Sequence, residues 1–197
     1  MNASLELLHE EKAFYAKFYE RLDTLARDPD LLETLGTFGV EAFRRSCVLE
    51  GFEQFLHDHN VEGDTALEIG TYNGLTALVL ARHFRRVITV DVAQAPLLDA
   101  ISAHHGVENI VYVTVADNAE KARYITGLDF DFAFVDGDHE HDTVADFALV
   151  KRCGAVMFHE HWAAQPAVPA LLASLTEGRT RVQGKFAVWT RQQRAAA

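Results

Sequence analysis

Ten consecutive residues, "FAFVDGDHEH" (132–141), run from apolar side chains straight into Asp136, Asp138, His139, Glu140 and His141. Carboxylates beside imidazoles suit three chemistries. They can hold a divalent metal, move a proton near neutral pH, or bind the polar part of a cofactor. They also suit a solvated loop, because acids favour the first turn of a helix. A second group, "FHEHW" (158–162), sets His159, Glu160, His161 and Trp162 after another apolar run. A third, "LEIGTYNG" (67–74), has the form E-x-G-x-x-x-G through Glu68, Gly70 and Gly74. Glycine at such spacing lets a backbone approach a ligand closely.

The elements that must position these groups are legible in the hydrophobic periodicity. Five short apolar runs, at 65–70, 86–91, 109–115, 130–136 and 155–159, read as buried strands. Helical periods lie between them, near 74–84, 94–104, 118–126, 141–152 and 166–177. Such alternation predicts a parallel sheet with helices on both faces. The tail "RTRVQGKFAVWTR" has no helix between its two apolar runs and predicts an antiparallel hairpin around Gly184. The expected fold class is therefore α/β, a Rossmann-like doubly wound seven-stranded sheet, mostly parallel with an antiparallel C-terminal hairpin, plus N-terminal helices. Amphipathic periods at 4–26 and 41–59 supply those helices, with Asp28-Pro29 breaking the first. The expected division is a helical extension over 1–60, serving packing, a lid or a dimer contact, and a main domain over 61–194.

In open α/β sheets, ligands sit beyond the carboxyl ends of the strands. That rule puts Glu68, Gly70, Asp91, Asp117, Asp136 and His159 along one edge. A nicotinamide dinucleotide fits poorly, because Tyr72 stands where its fingerprint needs a second glycine. Asp91 is placed to accept from both hydroxyls of a ribose, and Asp117 with Asn118 offers either a polar edge or a helix cap. An acid ahead of the first glycine suits a positively charged ligand.

Taken together, these residues resemble class I S-adenosylmethionine-dependent methyltransferases over about residues 60–191. "LEIGTYNGLTALVLA" is similar to that family's first motif, in the version common among small-molecule O-methyltransferases. The resemblance implies that Glu68 and the turn Gly70, Thr71, Tyr72, Asn73 and Gly74 cradle the amino-acid part of S-adenosylmethionine. It implies that Asp91 holds the ribose and that Ala116, Asp117 and Asn118 border the adenine. "FVDGDHEHDTVADF" followed by "GAVMFHEHW" resembles a branch that includes cephalosporin-hydroxylase-like and macrolide O-methyltransferases. By similarity to catechol-type relatives, Asp136, His159 and Glu160 are implied ligands of Mg2+ or another divalent metal. His139 is the implied general base, with Asp136 beside it at the cofactor edge. Glu160 departs from the Asp of the branch and the Asn of catechol-type enzymes. His159 stands where those enzymes place an Asp.

The expected function is methyl transfer from S-adenosylmethionine to an oxygen of a small molecule, with metal assistance. The other readings are transfer to nitrogen, a non-catalytic cofactor-binding protein, or a metallohydrolase. That last reading rests on "HEHD" (139–142), similar to the H-x-H-x-D-H of metallo-β-lactamases, but Thr143 stands where the final histidine belongs. Composition sets the setting. The chain is 49% hydrophobic and 24% charged, as a globular domain requires, and its net charge of -11 argues against nucleic acid. Cys47 and Cys153 have no nearby partner cysteine, which points to reduced thiols. "MNASLELLHEEK" lacks the basic start and apolar core of a signal peptide, and no run reaches membrane-spanning length. The expectation is a cytoplasmic enzyme with a small-molecule acceptor, no membrane partner, and a homodimer contact through its N-terminal helices.

Overall fold

The computed structural model describes residues 12–17, 20, 23–24, 52–72, 74–95, 98–138, 141–159 and 166–191. Helical residues occur at 12–17, 20 and 23–24, inside the first predicted helical period. The main body then runs α1 (Phe52–Asp58), β1 (Thr65–Ile69), α2 (Leu75–His83), β2 (Arg86–Asp91), α3 (Leu98–His105) and β3 (Ile110–Thr114). It continues with α4 (Asn118–Thr126), β4 (Phe132–Val135), α5 (Thr143–Val150), β5 (Ala155–His159), α6 (Ala167–Ser174), β6 (Arg179–Gln183) and β7 (Phe186–Thr190).

The seven strands form one sheet in the order β3-β2-β1-β4-β5-β7-β6. β1 to β5 pair in parallel, while β7 is antiparallel to both β5 and β6. The chain winds outward from β1 through β2 to β3, then returns to β4 beside β1 and winds the other way. That reversal makes a switch point between β1 and β4, where a doubly wound sheet opens a crevice at its carboxyl edge.

Strand periodicity sorts the core into two layers. Ala66, Val87, Phe132, Phe134, Met157, Phe186 and Val188 face one side, packed with α1, α2 and α3 through Phe52, Phe55, Leu56, Leu78 and Leu98. Leu67, Ile69, Ile88, Ala133, Val135, Val156 and Phe158 face the other, packed with α4, α5 and α6 through Ile125, Phe147, Val150, Val168 and Leu171. Burial on both faces is why β4 reads as an unbroken apolar run rather than an alternating one. α1, which falls at the end of the sequence-assigned extension, buries Phe52 with its ring 5.2 Å from Phe134 and 5.3 Å from Phe186. It therefore packs as a layer of the sheet.

Several boundaries differ from the sequence reading by a few residues. β4 starts at Phe132 instead of residue 130, because Asp131 turns its carboxylate onto the amides of Asp64 and Thr65, at 2.8 and 3.0 Å. The second interstrand helix starts at Leu98 and ends at His105, later than the 94–104 period predicts. β6 forms the open edge opposite β3, and all five of its residues are exposed. Arg179 and Arg181 on that edge discourage pairing with another chain. Among the described residues, no helix is long and apolar enough to cross a membrane.

Candidate active site

Strand parity decides which side chains meet. Counting from core residues of the α1–α3 layer, Glu68 follows Ala66, Asp91 follows Val87, Asp136 follows Phe134, and His159 follows Met157, each on the same face. These four groups lie at or near the carboxyl ends of β1, β2, β4 and β5, around the switch point.

The turn after β1 is held by its neighbours on both sides. Gly70 has φ +97, and its amide donates to the Val90 carbonyl at 2.9 Å. A Cβ at Gly70 would stand 2.3 Å from the Asp136 carbonyl oxygen, so the β4 loop passes directly over this position. Tyr72 has φ 46, a left-handed conformation uncommon for a bulky residue, and it is exposed. The Gly74 amide closes the turn on the Thr71 carbonyl at 2.8 Å and leads into α2. Asn73, assigned to this cradle from the sequence, lies outside the described residues.

Asp91 braces the same turn. Its Oδ2 accepts from the amides of Thr71 at 2.7 Å and Tyr72 at 3.1 Å, and Oδ1 accepts from Ala93 at 2.9 Å. A carboxylate has about four acceptor positions, so roughly one remains for a ligand hydroxyl. Beneath the turn, Glu68 is fully buried and its Oε2 accepts from the Thr89 hydroxyl at 2.5 Å. Thr89 is bonded in turn to the Thr71 hydroxyl at 2.6 Å. Burial, followed by the charges of Asp136 and Asp91, holds the Glu68 carboxyl well above the ordinary carboxylic acid range, against the Thr89 hydrogen bond.

On the other side of the crevice, Asp136 Oδ1 lies 3.0 Å from His159 Nδ1. His159 is largely buried and its ring stacks on Phe186 at 5.3 Å. Asp138 caps the short turn that follows, accepting from the His141 amide at 3.1 Å, and the exposed His141 ring sets its Nδ1 3.2 Å from Asp138 Oδ2. His139, Glu140, Glu160, His161 and Trp162 lie outside the described residues. Of the three metal ligands implied by resemblance, Asp136 and His159 are described, and they bond to each other. Among the described residues, no group of three His, Cys, Asp or Glu could hold a metal ion.

At the end of β3, Asp117 serves as the N-cap of α4, with Oδ1 accepting from the Glu120 amide at 2.8 Å. Glu120 Oε2 accepts from the Ala116 amide at 2.6 Å. The capping reading of Asp117 is therefore the one its carboxylate follows. Asn118 donates to Asp142 Oδ2 at 2.7 Å, which ties the start of α4 to the start of α5.

Sequence reasoning missed three residues here: Thr89, Lys121 and Asp146. Lys121 and Asp146 are both buried, 2.7 Å apart, beneath the loop at Gly137. The signals were present. Thr89 interrupts an apolar strand, and Asp146 is a lone acid on an apolar helix face, a position that calls for a partner. A cavity of about 580 Å³ between α3 and β3, bordered by Leu98, Ser102 and Tyr112, contains none of these site acids.

Residues 67–161 match a family described as methyltransferase domain. The span begins in β1 and passes the end of β5, so it contains Glu68, Asp91, Asp136 and His159. Over that span, just under half of its length, the chain is similar to a methyltransferase domain. Comparison with curated proteins gave no match. Among solved structures, the chain is similar to an O-methyltransferase from Bacillus cereus in complex with SAH. That likeness has 16% identity, 89% of this chain and 91% of the other covered, and a TM-score of 0.63. Cofactor-bound Rv0187 from MTB shares 18% identity, with 92% and 91% coverage and a TM-score of 0.67. An rRNA methylase from Streptococcus thermophilus shares 15% identity, with 67% and 89% coverage and a TM-score of 0.51. At these identities the likeness concerns the fold.

Proposed function

We propose that this methyltransferase moves the sulfonium methyl of S-adenosylmethionine to an oxygen of a small-molecule acceptor. One observation carries the reading: Glu68, Asp91 and Asp136 converge on a glycine turn at the switch point of the sheet, on one face. Acids in that position suit a cationic cofactor. Asp91 accepts from the ribose with its remaining capacity. The N-terminus of α2 has no side-chain cap and no acid in its first turn, which suits the cofactor's carboxylate. Ala116, Asp117 and Asn118 border the adenine. An O-methyltransferase in complex with SAH stands among the structural neighbours, which supports oxygen as the acceptor.

Methyl transfer is an in-line displacement, so the protein's part is alignment and proton removal. The acceptor lies on the β4–β5 side of the crevice, beside the hydrogen-bonded Asp136 and His159. His139, three residues after Asp136 in the sequence, takes the hydroxyl proton as general base. A divalent ion such as Mg2+ would need Glu160 to join Asp136 and His159. Burial pushes the Cys153 thiol up to about 11 and keeps it protonated, and the cytoplasmic setting proposed rests on the lack of a nearby partner cysteine in the sequence. A second copy meeting it through the N-terminal helices is the assembly proposed.

Calorimetric titration with S-adenosylmethionine and S-adenosylhomocysteine, with and without Mg2+, tests the reading. Micromolar binding of both is expected, and no binding of either sinks it. His139→Ala should keep cofactor binding and lose roughly two or more orders of magnitude in kcat on an accepted substrate. Unchanged turnover removes His139 as the base.

A further inference from the structure

Glu68 is the only charged side chain of β1 and is fully buried. Register seats it between Thr89 of β2 and Phe134 of β4. Its Oε2 takes the Thr89 hydroxyl, while its Oε1 is buried and meets no hydrogen-bond donor among the described residues. Among the described residues, the charged groups that act on it are Asp91 at the end of β2 and Asp136 after β4, both acids. Thr71, in the turn above, is bonded to Thr89 and adds a hydroxyl but no charge. A carboxyl so placed holds its proton while the site is empty, since ionising it would bury a third negative charge beside two others.

We propose that Glu68 releases this proton when S-adenosylmethionine binds, so that the site exchanges a proton for the cofactor's positive charge. The inference rests on the cofactor reading above. Glu68 passes from carboxylic acid to carboxylate, the proton goes to solvent, and no bond of the cofactor changes. S-adenosylmethionine brings one net positive charge, from its ammonium and sulfonium against one carboxylate, so the complex keeps the charge of the empty protonated protein. A cation held by the turn above it favours the carboxylate and lowers the titration of Glu68. Glu68 acts through this field from beneath the turn. It is a positioning residue, and it need not touch the ligand.

Calorimetry of S-adenosylmethionine binding near pH 6, in two buffers of different ionisation enthalpy, counts the protons released. The wild type should release about one more proton per cofactor than Glu68→Gln. Equal counts in the two proteins overturn the exchange. No binding heat in the wild type sinks the cofactor reading itself, and the exchange with it. Should E68Q fail to fold, the pH dependence of Kd carries the test between about pH 5 and pH 6.5, where the cofactor's ammonium stays protonated. Kd should fall about tenfold per pH unit, and a flat profile overturns the exchange. Thr89→Val removes the hydrogen bond that favours the Glu68 carboxylate, so it should move the midpoint of that profile to higher pH. An unmoved midpoint assigns the linkage to another group.

Discussion

Asp91 commits most of its carboxylate to the turn it faces, and that gives it two roles at once. Three backbone amides, from Thr71, Tyr72 and Ala93, converge on its two oxygens. Hydrogen bonds to a charged acceptor contribute about 1.5–3 kcal/mol each, so removing the side chain unsettles the cradle before any ligand arrives. Asp91→Ala should lower stability by about 2–4 kcal/mol and weaken S-adenosylmethionine at least tenfold, checked by urea denaturation and by calorimetry. Weakened binding at unchanged stability would leave Asp91 with the ribose alone. The sequence showed that an acid ends β2. It could not show that the acid bonds to residues some twenty positions earlier, because that contact exists only once β1 and β2 are in register. The same holds for Asp136 and His159. Each was legible as a strand-terminal polar group, but their mutual hydrogen bond follows from the β4–β5 pairing.

Elements carry a different vulnerability. α4 and α5 meet under the loop after β4 through the buried pair of Lys121 and Asp146, with Asp142 joining Asn118 nearby. Burial works to raise the Asp146 carboxyl above its usual value, against the hydrogen bond and charge of Lys121. A raised carboxyl adds stability below its unfolded value that is lost as pH rises through the folded one, so at neutral pH the aspartate depends on Lys121. Asp146→Ala leaves the buried Lys121 ammonium with only the more distant Asp142, at 3.8 Å, and should cost about 2–3 kcal/mol. Replacing both residues with apolar side chains of similar volume should recover most of that loss. A double-mutant cycle by chemical denaturation checks this, and additive losses would mean that the two residues do not act as a pair. Periodicity had placed both helices within a few residues. The pair itself was hidden because nothing in the sequence relates one helix face to the next.

At the scale of the whole molecule, the winding of the sheet separates two edges, and Phe14 sits at the one remote from the chemistry. The doubly wound topology was legible because each strand is a buried apolar run and each helix has its own period. The docking of residues 12–17 was not, since an amphipathic stripe does not name its partner. The Phe14 ring lies 4.8 Å from the His105 ring and 4.7 Å beneath the Arg82 guanidinium, which in turn pairs with the buried Glu53 of α1 at 2.7 Å. Arg82 and His105 belong to the last turns of α2 and α3. Helices that follow parallel strands end at the amino edge of the sheet, opposite the turn at Gly70. We infer that Phe14 serves packing and not a lid. Phe14→Ala should therefore lower stability by about 1–2 kcal/mol and leave kcat and KM for the cofactor unchanged. A lid would show the reverse, with turnover lost at constant stability. The contact also predicts a pH response. Burial, then the charges of Lys17, His104 and Arg82, bring His105 down to about 4. A histidine depressed in the folded state adds stability above its unfolded value of about 6.5, and that contribution is lost as pH falls towards about 4. Thermal melts across this interval should show stability declining with acid in the wild type. Phe14→Ala, which opens the His105 ring to water, should flatten that decline. An identical acid limb in both proteins would remove Phe14 as the cover of His105.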